Sequence, residues 1–447
     1  MNVDPNRNNP AGRPRMMLRA LGSRNYRLFF AGQGVSLIGT WMQQVAMSWL
    51  VYRLTGSTFL LGVTGFAGQI PNFLLAPVAG VLADRMNRRP LLMVTQGVAM
   101  FQAAALAALV LTGTIQVWQI IALSVLLGIV NSFDIPVRQS FVIELMDKKE
   151  DLSNAIALNS SMVNSARLIG PALAGVLVAT LGEGICFVIN ASSYLAVLLA
   201  LLAMRLGPSR SRAGRQQHFL KELGEGFSYA YGCKPIRCIL ALLGLVSLMG
   251  MPYSVLMPVF AREILHGSAR TFGFLIATTG IGALTSTMYL ASRRSVRGLG
   301  KVIAGAAGLF GAGIIGFALS SHLPLSIACL YLVGFGGMAL VASSNTILQT
   351  IVDEDKRGRI MSLFSMSFVG MTPIGSLMAG AAAERIGVQA TLLFGGGCCL
   401  LGGLIFARQL PTLRQFVRPI YVRKGIIPEV AAGMQTAAEL TVPPEKQ

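Results

Sequence analysis

The sequence predicts an all-α membrane protein: twelve transmembrane helices arranged as two pseudo-symmetric six-helix bundles. Three observations carry that expectation. The 447 residues are 53% hydrophobic and only 12% charged, with a mean hydropathy of +0.63. About a quarter of a soluble domain is charged, so the apolar excess here implies a surface that faces lipid. Apolar stretches of the ~20 residues that a helix needs to cross a bilayer recur along the whole chain. Finally, the basic residues cluster in every second connection between those stretches.

The stretches run at 28–52, 58–83, 91–112, 117–141, 154–181, 185–204, 237–261, 271–292, 302–320, 324–350, 359–383 and 388–407. They are too long for buried strands, and they lack the alternation of a β-barrel. The first is too long for a signal-peptide core and has no small-residue cleavage site, so it is expected to stay as a span.

Charge fixes the orientation. With the N-terminus inside, all Lys and Arg residues but five fall on the inner side. The five are Arg53, Arg262, Arg270 and Arg385 in outer loops, and Arg167 within a span. This positive-inside bias places both termini in the cytoplasm. It also accounts for the net charge of +19, so nucleic acid is not an expected partner. The cysteines form no C-x-x-C pair and the histidines sit in loops without ligand spacing, so neither a disulfide framework nor a metal site is expected.

The longest polar stretch between spans, Leu206–Pro235, splits the chain into a bundle at 1–205 and another at 236–408. A tail follows at 409–447. The halves are internally similar. Gly170-Pro-Ala-Leu-Ala-Gly175 in span five matches Gly375-Ser-Leu-Met-Ala-Gly380 in span eleven at an offset of 205 residues. Each lies beyond a charged loop, beginning at Asp147 and Asp353 respectively. Such repeat-built bundles are a transporter plan, with substrate bound at the midplane between the halves.

Between spans two and three stands Gly80-Val-Leu-Ala-Asp84-Arg85-Met-Asn87-Arg88-Arg89. This resembles the signature loop of the major facilitator superfamily. Asn87 stands where the family usually has Gly, and Asn tolerates a left-handed backbone better than most residues. Asn25-Tyr-Arg-Leu-Phe29, Gly32-Gln33, Ser36, Gly39, Trp41 and Met42 extend the resemblance. So do Arg167-Leu-Ile-Gly170-Pro171 and Arg357-Gly-Arg-Ile-Met-Ser362. Together they are similar to the branch of enterobactin-exporter type and drug-efflux permeases. The resemblance implies a conformational latch made by Gly80, Asp84, Arg85, Arg88 and Arg89. In it, Asp84 would meet the start of span eleven near Arg359 and hold the outward-open state. The alternative is a plain topogenic loop. Gly170, Pro171 and Gly175 resemble a shortened antiporter motif; ordinary packing of a kinked helix is the other reading.

Charges inside spans are costly and point to function. Arg167 lies about thirteen residues into span five. It is a candidate for meeting an anionic substrate or a coupling proton site, or else a structural tie. Asn164 shares its polar face. Asp134 and Arg138 are one helical turn apart in span four and can pair with each other or serve proton coupling. Trp41 and Asn131 complete the coupling or substrate candidates. Trp49, Tyr253, Met257, Phe335 and Met338 can line an apolar cavity or simply pack.

Gly311-Ala-Gly-Ile-Ile-Gly316 fits a dinucleotide fingerprint but lies inside an apolar span with no preceding strand, so it reads as helix packing. The chain has no phosphate-binding G-x-x-x-x-G-K-[ST] loop and no catalytic constellation, so it is not expected to be an enzyme or to use a cofactor. The expected function is secondary active transport in a bacterial inner membrane. The favoured form is a monomeric, proton-coupled exporter of a drug, siderophore or metabolite. A lipid or nutrient transporter of the same fold is an alternative, and a membrane sensor or enzyme a more distant one.

Overall fold

Twelve long helices fill the computed structural model, which describes residues 19–146, 149–205, 227–293, 295–354 and 356–423. They are α1 (Arg24–Thr55), α2 (Thr58–Arg85), α3 (Arg88–Leu111), α4 (Val117–Glu144), α5 (Leu152–Leu181) and α6 (Glu183–Ala203). The second half holds α7 (Lys234–Ile264), α8 (Ala269–Ser292), α9 (Leu299–Leu319), α10 (Leu323–Ile351), α11 (Arg357–Ile386) and α12 (Val388–Arg423). Helices are what lipid permits, since every backbone N–H and C=O finds its partner within the segment. By length and composition, eleven of the twelve are apolar enough to cross a membrane; α1 is the exception.

The reason α1 falls short lies in its buried polar face. Gln43 donates to Gln102 of α3 at 2.9 Å and accepts from Asn190 of α6 at 2.8 Å. Gln102 in turn donates to the Leu123 carbonyl of α4 at 3.2 Å. Away from water, each of these amides would be costly unpaired, so the chain of bonds ties four of the six helices of the first bundle together.

The two bundles correspond at the 205-residue offset. Gly182 ends α5 and Gly387 ends α11, both with φ of +84°, a conformation that favours glycine. Gly170 packs against α1, where an added Cβ would meet the Ile38 carbonyl at 2.8 Å. Its counterpart Gly375 packs against α7, where a Cβ would stand 2.9 Å from Pro252.

Helices α7 and α11 contain π-helical turns, at Val246–Gly250 and Phe260–Ile264 in α7 and at Met366–Gly370 in α11. The Ser247 hydroxyl donates to the Phe368 carbonyl inside the α11 turn and lies 2.9 Å from the Thr372 hydroxyl. Such turns loosen the regular ladder, and a neighbouring hydroxyl supplies a replacement bond. Helix α12 runs on past 407 to Arg423, because Leu413 and Tyr421 remain buried against the second bundle. Residues 206–226 of the expected linker and 424–447 of the tail lie outside the described residues.

Candidate functional site

The chain alternates between two ends of the bundle. One carries residues 19, 205, 234 and 423 and the expected inner loops; it is called here the basic end. The other carries the short turns at Gly56, Gly182 and Gly387 and is called the far end.

At the far end the halves meet backbone to backbone along two seams. In the first, α2 meets α11: a Cβ on Gly62 would stand 2.6 Å from the Ser376 carbonyl and 3.0 Å from Gly380. In the second, α5 meets α8: a Cβ on Gly175 would stand 2.9 Å from Gly273. On Gly273 it would lie 2.6 Å from the Pro171 carbonyl. Of the predicted kink motif, then, Gly170 contacts its own half, while Pro171 and Gly175 contact the other half. Glycine at these contacts lets two helices approach closely.

Polar bonds rim the seams. Glu384 at the end of α11 accepts from the backbone N–H of Thr58 at 2.9 Å and of Phe59 at 3.1 Å, and from the Thr58 hydroxyl at 2.7 Å. These are orphan donors at the start of α2, so one half caps a helix of the other. Tyr52 donates to Glu263 across the halves. Trp49 of α1 stacks on Phe272 of α8 with ring centroids 6.1 Å apart.

Deeper along the α5–α8 seam lies Arg167, near the middle of the 30-residue α5. A Cβ on Gly280 of α8 would come within 3.5 Å of the Arg167 carbonyl. The guanidinium sits over the Trp41 ring of α1, 5.5 Å from its centroid. Among the described residues it has no hydrogen-bond or ion-pair partner. Helices from both halves thus meet around one half-buried cation.

The other candidates are placed differently. Asp134 is 4% exposed. It accepts from Gln96 at 2.7 Å and Thr95 at 3.0 Å, and lies 3.6 Å from Arg138. That cluster joins α3 to α4 within the first half, where a buried carboxylate is held by three partners. Asn164 donates to the Ser160 carbonyl of its own helix at 2.9 Å. Asn131 is half-buried on α4. Tyr253 and Met257 are core residues, 6% and 1% exposed. Phe335 packs on Tyr289 at 6.0 Å, and Met338 is half-buried.

Of the expected latch, the side chains of Asp84 and Arg85 lie outside the described residues. Gly80 has nothing within 4 Å of where a Cβ would stand. Arg88 pairs with Glu144, and Arg89 donates to the Leu202 carbonyl at 3.2 Å. Both bonds stay within the first half. The same holds for Arg19 with Asp151, and, in the second half, for Arg423 with Asp353. Arg19, outside the spans, has its pKa raised by its hydrogen bond to Asp151. A separate apolar crevice lies at the basic end of the second half between α7, α9 and α12, lined by Ile239, Leu299, Phe406 and Tyr421.

The sequence alone does not single out Gly62, Gly273 or the Gln43–Gln102–Asn190 amides, and it places Glu384 only as an acid near an interface. A signal existed for the first: Gly62, Gly65 and Gly68 recur every third residue in α2. That spacing announces close helix contact without naming the partner.

Comparison with known proteins agrees with the signature-loop resemblance. The family model described as "Transmembrane secretion effector" matches residues 17–418. The staphyloferrin A transporter of Staphylococcus aureus is 26% identical over 82% of this chain and 91% of its own. The multidrug efflux pump Tap of Mycolicibacterium fortuitum is 25% identical over 86% and 93%. The enterobactin exporter EntS of Citrobacter koseri is 27% identical over 90% and 95%. Among solved structures, a bacterial homologue of the iron transporter ferroportin aligns at TM-score 0.64 and 16% identity, covering 86% of this chain and 98% of that one. A bacterial homologue of the lysosomal transporter Spinster aligns at 0.66 and 13%, covering 88% and 98%. At these identities the structures speak for the fold alone.

Proposed function

We propose a function from one premise: the chain belongs to the transmembrane secretion effector family of the major facilitator superfamily. It is a multi-pass membrane transporter rather than an enzyme. In our reading it is a proton-coupled secondary exporter of small amphipathic molecules, of the kind that its siderophore-exporting and drug-efflux relatives move. The observation that carries this is Arg167: a charge at mid-span, without an ionic partner among the described residues, on the seam between two bundles. A lone cation at that depth is costly unless it faces a wet cavity or a ligand.

The halves work by alternating access in this reading. Closure of the far end by the two glycine seams would leave the surroundings of Arg167 to be reached from the basic end. That end is cytoplasmic, in keeping with the positive-inside bias. The opposite state is held by the loop Gly80–Arg89, with Asp84 as the acceptor at the start of α11. Coupling protons are handled by Asp134 with Arg138, or by the cavity itself.

The test is uphill movement of a compound panel in proteoliposomes, with and without a pH gradient. Uphill movement that requires the gradient is expected. Movement that persists after every ion gradient and the membrane potential are collapsed rejects secondary transport. Cysteine placed at Ser211 should resist labelling from outside intact cells; efficient labelling reverses the orientation. Asp84→Ala should lower transport while the protein still inserts, and wild-type rates in that variant remove the latch.

A further inference from the structure

The geometry points to an organic anion as the transported class, selected by Arg167 against cations. This rests on the reading that the space between the bundles is the transport site. Its ground is a census of charge among the described spans. Each carboxylate there whose side chain is described is already engaged; Asp84, at the basic end of α2, lies outside that census. Asp134 is held by Thr95, Gln96 and Arg138. Glu144 pairs with Arg88, and Glu183 with Arg53 at 2.7 Å. Glu263 accepts from Tyr52, and Glu384 caps α2. These five also sit at helix ends or, for Asp134, inside the first bundle. None stands beside Arg167.

The charge left over between the halves is therefore positive. An arginine fork matches a carboxylate or a phosphate in two parallel bonds. An ammonium brought to the same place meets like charge with no described carboxylate beside it to offset the repulsion, so it binds less well. Trp41 beneath the guanidinium adds an aromatic wall. The cation already stacked on that ring is the protein's own, so the ring does not serve as a cage for a ligand cation. Anion with an aromatic or aliphatic body is the chemistry this fits.

Matched solutes of one shape and opposite charge test it: 2-naphthoate and 2-naphthylmethylammonium, titrated calorimetrically into the purified full-length protein in detergent with no ion gradient. We expect saturable binding of the naphthoate and at least about tenfold weaker binding of the ammonium. Arg167→Gln should lose about tenfold in naphthoate affinity, Arg167→Lys should restore part of it, and Arg167→Glu should invert the order of the two ligands. Size exclusion and thermal unfolding establish that each variant is folded; should Arg167→Glu not fold, the Gln and Lys pair decides. Equal affinities in the wild type, no saturable naphthoate binding, or a preference unmoved by Arg167→Gln each overturns the proposal. Because no gradient is present, these outcomes are separate from the proteoliposome result. Charge selection without uphill movement sinks the transport reading and leaves the anion site. Uphill movement of the ammonium as fast as the naphthoate sinks the anion site and leaves transport.

Discussion

The far end and the basic end of the bundle are held by opposite chemistry. At the far end, glycines bring backbones of the two halves together, Gly62 to Gly380 and Gly175 to Gly273, and Glu384 caps a helix of the other half. At the basic end, the pairs Arg19–Asp151, Arg88–Glu144 and Arg423–Asp353 tie each half to itself. Contact that depends on the absence of a side chain is nearly all-or-none, since interiors are close-packed and a single added methyl is felt. Exposed ion pairs are soft, screened and worth little singly. The difference teaches which contacts between the halves are sensitive to a single added side chain: those of the far-end seams, while the arginine pairs stay within each bundle.

The sharpest way to break this comparison is Gly62→Leu. Its Cβ alone would stand 2.6 Å from the Ser376 carbonyl, and the backbone there cannot yield without parting α2 from α11. Spin labels at Leu181 and Ile386, which are 61% and 60% exposed at the far ends of α5 and α11, should report a longer distance. Transport should fall tenfold or more. Unchanged distance and rate would show that the seam does not govern closure.

A smaller effect is expected from Glu384→Gln. The neutral amide keeps one acceptor for the N-terminus of α2 but loses the charge that favours the helix dipole. A lost cap costs ~1 kcal/mol, and solvent exposure reduces that for this residue, so the open far end should gain about two- to fivefold in population. The same spin-label pair reads it. A shift as large as that of Gly62→Leu would move the seat of closure from packing to charge.

The smallest effect should come from Arg88→Ala. Its bond to Glu144 lies within one half, and both side chains are partly exposed. Loss of under ~1 kcal/mol of stability is expected, with no change in far-end distance. A lengthened or shortened far end in this variant would mean that the Arg88–Glu144 pair itself takes part in the contact between the halves, beyond the part assigned to Asp84.

Much of this was legible in one dimension. The apolar runs gave the spans to within a few residues at most ends, because lipid imposes a minimum length on anything that crosses it. The loop Gly80–Arg89 named the superfamily. The 205-residue echo of Gly170 and Gly175 in Gly375 and Gly380 marked the repeat, and the echo extends to the turns at Gly182 and Gly387. Arg167 stood out because a charge amid apolar residues needs no partner list to be noticed. What stayed hidden were relations. Gln43, Gln102 and Asn190 lie in three separate spans, and only their mutual bonds turn them into a tie. Glu384 read as an interfacial acid, because its partners at Thr58 and Phe59 lie in the other half of the chain.

By itself, then, the sequence determined the medium, the number of spans, the side on which charge accumulates and the presence of two like halves. Each of these follows from a local property: hydropathy, charge or spacing along one helix. Tertiary structure alone decided which glycine faces which, which carboxylates are spent on neighbours, and that Arg167 is left over. Those outcomes depend on the rotation and depth of helices packed from distant parts of the chain, and a helix turned by one residue, about 100°, would present a different face.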